Sequence, residues 1–213
     1  MSDVEIIGAP QSNFVWATRL ALARKGVAHH VTPAYPHSPE VLVIHPLGLI
    51  PAMRHGEFTL CESRAVVAYV DAAFDGPSLT ATDPLEAARD ESWVQMLIGA
   101  MDKVLLRQYA FGYFFPGTDD GSPNREMIDA AWPTVKTQLG VLDKAVSDGA
   151  LLSSTYRLPD LWAIPMLYYV LRLPEAVALK PSVAALSHGV ERALARPEVV
   201  ATMPPPLPGR EAA

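Results

Sequence analysis

The sequence of 213 residues is short of cysteine, of net positive charge and of long apolar runs, and each shortage excludes a class of protein. A lone cysteine, Cys61, cannot close an internal disulfide, so the fold must rest on its core and suits a reducing compartment. There is no CxxC, and Cys61 reads as a small apolar residue, which disfavours disulfide chemistry. The formal charge of −6 is offset by no stripe of Lys and Arg among aromatics, so no nucleic-acid partner is expected. No apolar run approaches the roughly 20 residues of a membrane helix. The polar start MSDVE lacks a signal-peptide pattern, and a cytoplasmic protein without membrane contact is expected. Six histidines show neither HxxxH nor HExxH spacing, so no metal cofactor is expected. What the chain does have is apolar bulk, 50% of its residues, enough for a sizeable core in one or two domains.

The densest stretch runs from His45 to Val70, HPLGLIPAMRHGEFTLCESRAVVAYV. Pro46 and Gly48 punctuate a loop, and the apolar run opened by Pro51 breaks at His55-Gly56 and resumes at Phe58, which reads as a hairpin. Glu62 and Ser63 then precede Ala65, Val66, Tyr69, Val70 and Ala73, the spacing of a helix with one buried face. A cis Ile50–Pro51 bond would turn the Ile50 backbone outward, where an extended peptide can pair with it as a strand pairs with a sheet edge. The Ser63 hydroxyl and the helix start suit a carboxylate, and Glu62 suits a neighbouring ammonium. An extended peptide with an amino-acid-like end fits these groups, and glutathione is such a ligand.

Upstream, Val4 to Ile7 is a short strand ending at Gly8-Ala9-Pro10, and a helix runs from about Ser12 to Lys25-Gly26. Val27 to Thr32 is a second strand, expected to lie parallel to the first through a right-handed crossover. Ser38 to Ile44 is a short helix, so with the hairpin and Ala65 to Phe74 the order is βαβαββα.

At these residues the chain resembles the glutathione transferase family, whose N-terminal domain has a loop, a cis-Pro strand and then Glu-Ser opening a helix. His45-Pro46 stands where the family usually has Asn-Pro. The resemblance implies a thioredoxin-like N-terminal domain followed by an all-helical domain, an α/β plus all-α protein with glutathione as co-substrate. Counting back from Arg19 to Gly26 places Ser12 at the family's catalytic Ser/Cys position, with Asn13 as the rival, since some bacterial and fungal relatives use an Asn there. A hydroxyl at a helix N-terminus that donates to a ligand sulfur favours thiolate, although Ser is also a common N-cap. The glutathione-binding set implied is Ile50, Pro51, Glu62 and Ser63, with His37 and also His45 as candidates for the glycyl carboxylate. Ser12 and Trp16 resemble the zeta class, which has a Cys where this chain has Phe14, while Glu62 to Ala65 resembles phi and beta members. The class stays open.

Residues 1–76 are expected to form the glutathione-binding domain and 77–84 a linker; 85–203 form the helical domain and 204–213 a Pro-rich tail with no assigned role. Leu85 to about Tyr113 reads as one long helix, followed by a loop in which Asp119 and Asp120 are solvated. Glu126 to Val146 is the next helix, and a third runs from Pro159 to Leu171 with Leu161, Ile164, Leu167, Tyr168 and Leu171 largely on one side. The family's Ser/Thr-x-x-Asp capping box would end at Asp160, but Arg157 occupies its first position, leaving Ser154 or Thr155 as substitutes. Ser182 to Ala195 and the run at 195–199 match the last helix. An acceptor site between the domains would use Phe14, Tyr109 and Tyr113. The function implied is transfer of glutathione to a small hydrophobic electrophile by a homodimer. The alternatives are a non-catalytic glutathione-binding or assembly domain and a zeta-like glutathione-dependent isomerase.

Overall fold

The computed structural model describes residues 4–118 and 120–206. They fall into two compact units, one built from the chain up to Leu79 together with the segment from Arg196, the other from Thr80–Ala195. In the first unit, β1 (Val4–Ile7), α1 (Asn13–Arg24), β2 (His29–Thr32), α2 (Pro39–Leu42), β3 (Ala52–His55), β4 (Phe58–Cys61) and α3 (Ser63–Ala73) follow the expected βαβαββα order. The sheet order is β2-β1-β3-β4, with β1 parallel to β2 and antiparallel to β3, and β3 antiparallel to β4. Ile6 and Ile7 point to opposite faces of the sheet, yet both are buried, so both faces are covered. On the Ile7 side, Val41 of α2 joins Ala34, Ala52, Ile44 and Ile50. α1 and α3 pack against each other, and α1 against β1.

The chain returns to this unit at its end. α10 (Pro197–Thr202) packs on α1, where the Trp16 indole donates to Thr202 Oγ1 at 2.9 Å in a buried hydrogen bond. The last helix was expected in the helical domain. An indole N–H buried in apolar surroundings needs an acceptor, and Thr202 supplies it from 186 residues away. At the other boundary, Leu79 N–H donates to Asp71 Oδ1 and the Lys25 ammonium bonds the same carboxylate, tying the end of the first unit down three residues beyond the expected limit at 76.

The second unit opens with α4 (Pro84–Met96), capped by Asp83, whose carboxylate accepts from the N–H groups of Leu85 and Glu86. The helix continues without a break through Leu97–Ala110, where it widens to π spacing, and ends in α5 (Phe111–Phe114). One long helix was expected, and the widening goes with buried side chains recurring every fourth residue, Leu97, Met101, Leu105, Tyr109 and Tyr113. α6 (Arg125–Ser147) packs on this segment and on α9 (Ala184–Leu194). α7 (Asp160–Val170) differs from the one-sided helix expected, since every residue from Asp160 to Leu167 is buried, as befits the central helix of a bundle. Between α7 and α9, a short helix α8 (Pro174–Leu179) and a 3₁₀ turn (Lys180–Ser182) occupy a stretch assigned no element from sequence. Asp119 and the tail beyond Pro206 lie outside the described residues.

Asp160 explains how α7 starts without the expected Ser or Thr. Its carboxylate accepts from Arg157 N–H at 3.1 Å and from Leu152 N–H at 2.8 Å, satisfying two backbone donors at once. The Arg157 side chain turns the other way, with Nε 2.8 Å from the buried Asp90 carboxylate and an Nη 2.7 Å from Glu86. Neither Ser154 nor Thr155 is needed. Burial would lower the Arg157 pKa, but the bonds to Asp90 and Glu86 outweigh it and raise it.

Candidate functional site

Sheet register gathers the expected ligand-binding residues at one end of the first unit. Ile7 pairs with Ala52, and Ala52 with Cys61, so the end of β1, the start of β3 and the end of β4 lie side by side. The turn into α1, the Ile50–Pro51 pair and Glu62–Ser63 are the residues that follow or precede those ends. Gly8 shows how closely they approach: a Cβ there would lie 2.6 Å from Val15 Cγ2 and 3.1 Å from Ile50 Cβ. The Ile50–Pro51 bond, left open by the sequence, is cis.

Ser12 is the N-cap of α1. Its backbone is extended, and its Oγ accepts from Val15 N–H at 3.4 Å. Accepting one hydrogen bond leaves the hydroxyl hydrogen for a second partner, so the capping and the donor roles are compatible. Asn13, the rival, is the first residue inside the helix and is buried, at 5% exposure. Phe14 follows, half-buried. Beside Ser12, the Gln11 amide donates to Pro206 O at 3.1 Å, so the start of the Pro-rich segment is moored next to this turn.

The start of α3 is built differently. Glu62 is its N-cap, at φ 69° and ψ 115°, a left-handed backbone conformation that a glutamate rarely adopts, and its side chain makes no capping bond to the helix. The first intrahelical bond runs from Val66 N–H to Glu62 O. The Glu62 carboxylate points instead to His45, with Oε1 3.3 Å from Nε2. Ser63 is buried at 7% exposure. A helix start whose cap residue has turned its carboxylate aside presents N–H dipoles and a hydroxyl to an anion, with a carboxylate beside it for a cation.

His37 and His45 were both candidates for a carboxylate at the glycyl end, and the structure separates them. His37 is exposed at φ 65°, its N–H donating to Gly48 O and its ring lying so close over Gly48 that a Cβ there would be 2.5 Å from Nδ1. His45 has a side chain only 3% exposed. A loop histidine reads as exposed from sequence, and the local signal against it is the turn in which Leu47 N–H closes back onto His45 Nδ1. At the end of β4, burial and the neighbouring Glu62 charge push the Cys61 thiol up, away from the reactive thiolate. Among the described residues, no group of three or more His, Cys, Asp or Glu could hold a metal ion.

Residues 6–78 match the family described as Glutathione S-transferase, N-terminal domain. The chain is also 26% identical over 208 residues to a probable glutathione S-transferase of Oryza sativa subsp. japonica, over 93% of this chain and 94% of that one. Residues 6–78 therefore carry the N-terminal domain of glutathione S-transferases. A probable glutathione S-transferase of Solanum tuberosum is 32% identical over 98 residues, a match spanning 45% of either chain. A maleylacetoacetate isomerase of Pseudomonas aeruginosa is 26% identical over 183 residues, 81% of this chain and 84% of that one. The glutathione S-transferase fold agrees with solved structures. Glutathione transferase F7 from Populus trichocarpa matches with a TM-score of 0.80 at 23% identity, over 93% of this chain and 97% of that one. Glutathione S-transferase-I bound with lactoylglutathione matches with a TM-score of 0.81 at 21% identity, with the same coverages.

The two tyrosines expected at the acceptor site are engaged within the helical unit. Tyr109 is fully buried, its hydroxyl donating to Glu175 at 2.9 Å, and Tyr113, 6% exposed, donates to the same carboxylate at 2.7 Å. Arg125 completes the cluster, 2.7 Å from Glu175. Burial alone would raise the Glu175 carboxyl, but the bonds from Tyr113, Arg125 and Tyr109 hold it down to about 2. Burial and that carboxylate push the Tyr113 hydroxyl up to about 12. These hydroxyls are therefore closed into a polar network, and sequence spacing had marked the residues but not the partner, Glu175.

Proposed function

We propose that the protein is a glutathione transferase in which Ser12 steadies the glutathione thiolate, Ile50 and Pro51 align the tripeptide, and Glu62 and Ser63 hold its γ-glutamyl end. The observation that carries this reading is the register that puts the Ser12 cap, Ile50 and the Glu62–Ser63 helix start at one end of one sheet. The thiol loses its proton to solvent, and the thiolate attacks an electrophilic carbon, forming the C–S bond as the leaving group departs with its electron pair. Ser12 donates a hydrogen bond to the sulfur and does not attack. A hydrogen bond to a charged group contributes about 1.5–3 kcal/mol, and a helix N-terminus about 0.3–1 kcal/mol. At about 1.4 kcal/mol per unit, the two together lower a thiol pKa of about 8.5 to about 6 or 7, so the thiolate predominates near neutrality.

The acceptor in this reading is a small hydrophobic electrophile, and the working form is a homodimer. The likeness to the maleylacetoacetate isomerase supports a second reading, in which the thiolate adds to an activated double bond and is expelled after rotation, giving isomerisation without net transfer. Conjugation of glutathione to a chromogenic aryl halide tests the assignment. Ser12→Ala is expected to lower kcat by about 100-fold, the scale of removing one donor to a developing or stabilised anion, with Asn13→Ala far milder. If Asn13→Ala causes the large loss and Ser12→Ala the small one, the donor is Asn13. Glutathione binding with no turnover of any electrophile would make the chain a non-catalytic binding domain.

A further inference from the structure

We propose that His45 is a positioning residue that presents the Glu62 carboxylate to a ligand ammonium, and so makes the site selective for peptides carrying a free α-amino group. The proposal rests on the glutathione reading above. His45 lies in the loop between α2 and β3, with its backbone held on both sides: its N–H donates to Val41 O at 2.7 Å and its carbonyl accepts from Gly48 N–H at 2.8 Å. Leu47 N–H donates to Nδ1 at 3.2 Å, which requires a lone pair on that nitrogen and leaves the ring proton on Nε2. Nε2 faces Glu62 Oε1 at 3.3 Å. The backbone N–H of Leu47 thus selects the tautomer that can hold Glu62.

Glu62 needs such a partner. Its side chain is 67% exposed, and its backbone is committed to φ 69°. A carboxylate that free would have to give up its rotamers on binding, and one already held by a buried imidazole does not. The contact uses one oxygen, leaving the other for an incoming ammonium.

His45→Asn separates this role from a merely structural one, because an Asn oxygen near the position of Nδ1 still accepts from Leu47 N–H while the donor at Nε2 is gone. The measurement is calorimetric binding of two probes to the full chain, glutathione and its deamino analogue, glutaryl-cysteinyl-glycine. The expected result is about fivefold weaker binding of glutathione, the scale of one hydrogen bond, and unchanged binding of the analogue. Equal losses for both probes, or none for either, would overturn the proposal. Nitrogen NMR of the ligand-free protein reads the same contact without glutathione. The His45 Nε2–H signal shifts in Glu62→Gln if the contact exists, and an unmoved signal overturns the proposal even if glutathione binds. A wild type that binds no glutathione while showing that shift would overturn the assigned ligand, and with it the role of His45 toward that ligand.

Discussion

Asp160 at the start of α7 and Glu62 at the start of α3 are both carboxylates at helix N-termini, yet one is fully buried and the other has a side chain 67% exposed. Asp160 spends both oxygens on backbone N–H groups of its own chain, Leu152 and Arg157, and so fixes the loop that feeds the central helix of the bundle. The Glu62 side chain makes no capping bond, its backbone is strained and its carboxylate faces a buried histidine. Both positions attract negative charge for the same reason, the unsatisfied N–H groups and the dipole of a helix start. The two starts differ in where the carboxylate goes, onto backbone N–H groups at Asp160 and toward His45 at Glu62.

Disturbing the Asp160 side alone should produce the largest effect. Arg157→Ala leaves the buried Asp90 carboxylate without its guanidinium, and a loss of about 3–5 kcal/mol is expected, measured by urea denaturation followed through tryptophan fluorescence. Molecules that remain folded should bind glutathione as before. On the binding side, Ser63→Ala removes one hydroxyl from the α3 start, and glutathione affinity should fall by about 2 kcal/mol, roughly 30-fold, by calorimetry. The urea midpoint of the helical unit should not move.

A smaller effect separates the units by pH. Glu175 is held down to about 2 in the folded chain and ionises at about 4.3 when unfolded. The stability it contributes is therefore complete above about pH 4.3 and is lost as pH falls through about 2. Glu175→Gln should flatten that acid limb of the stability curve while the glutathione affinity at pH 7 stays unchanged.

Much of the first unit was legible because its signals are local. Turn residues at Gly8-Ala9-Pro10 and His55-Gly56 bracket short apolar runs, and Ser12 and Glu62–Ser63 open helices where the spacing says helices begin. What escaped depends on partners far away in the chain. Trp16 and Thr202 are 186 residues apart, so no periodicity could assign the last helix to the first unit. Tyr109 and Tyr113 stood out as aromatics at helical spacing, but Glu175, which binds both hydroxyls, lies more than 60 residues on, in a six-residue helix too short to show a pattern. Its one local sign was Pro174 at the first helical position. His45 shows the limit of local reading in another way: nothing in the sequence marks its burial, and the hydrogen bond from Leu47 N–H two residues on becomes visible only in the fold.

The proposed chemistry requires this end of the sheet to ionise glutathione. Ultraviolet thiolate absorbance of glutathione, titrated against pH with and without stoichiometric protein, measures that directly. A thiol pKa lowered by about two units on binding, and returned most of the way by Ser12→Ala, is the predicted result. Binding with no shift in the thiol pKa would contradict it.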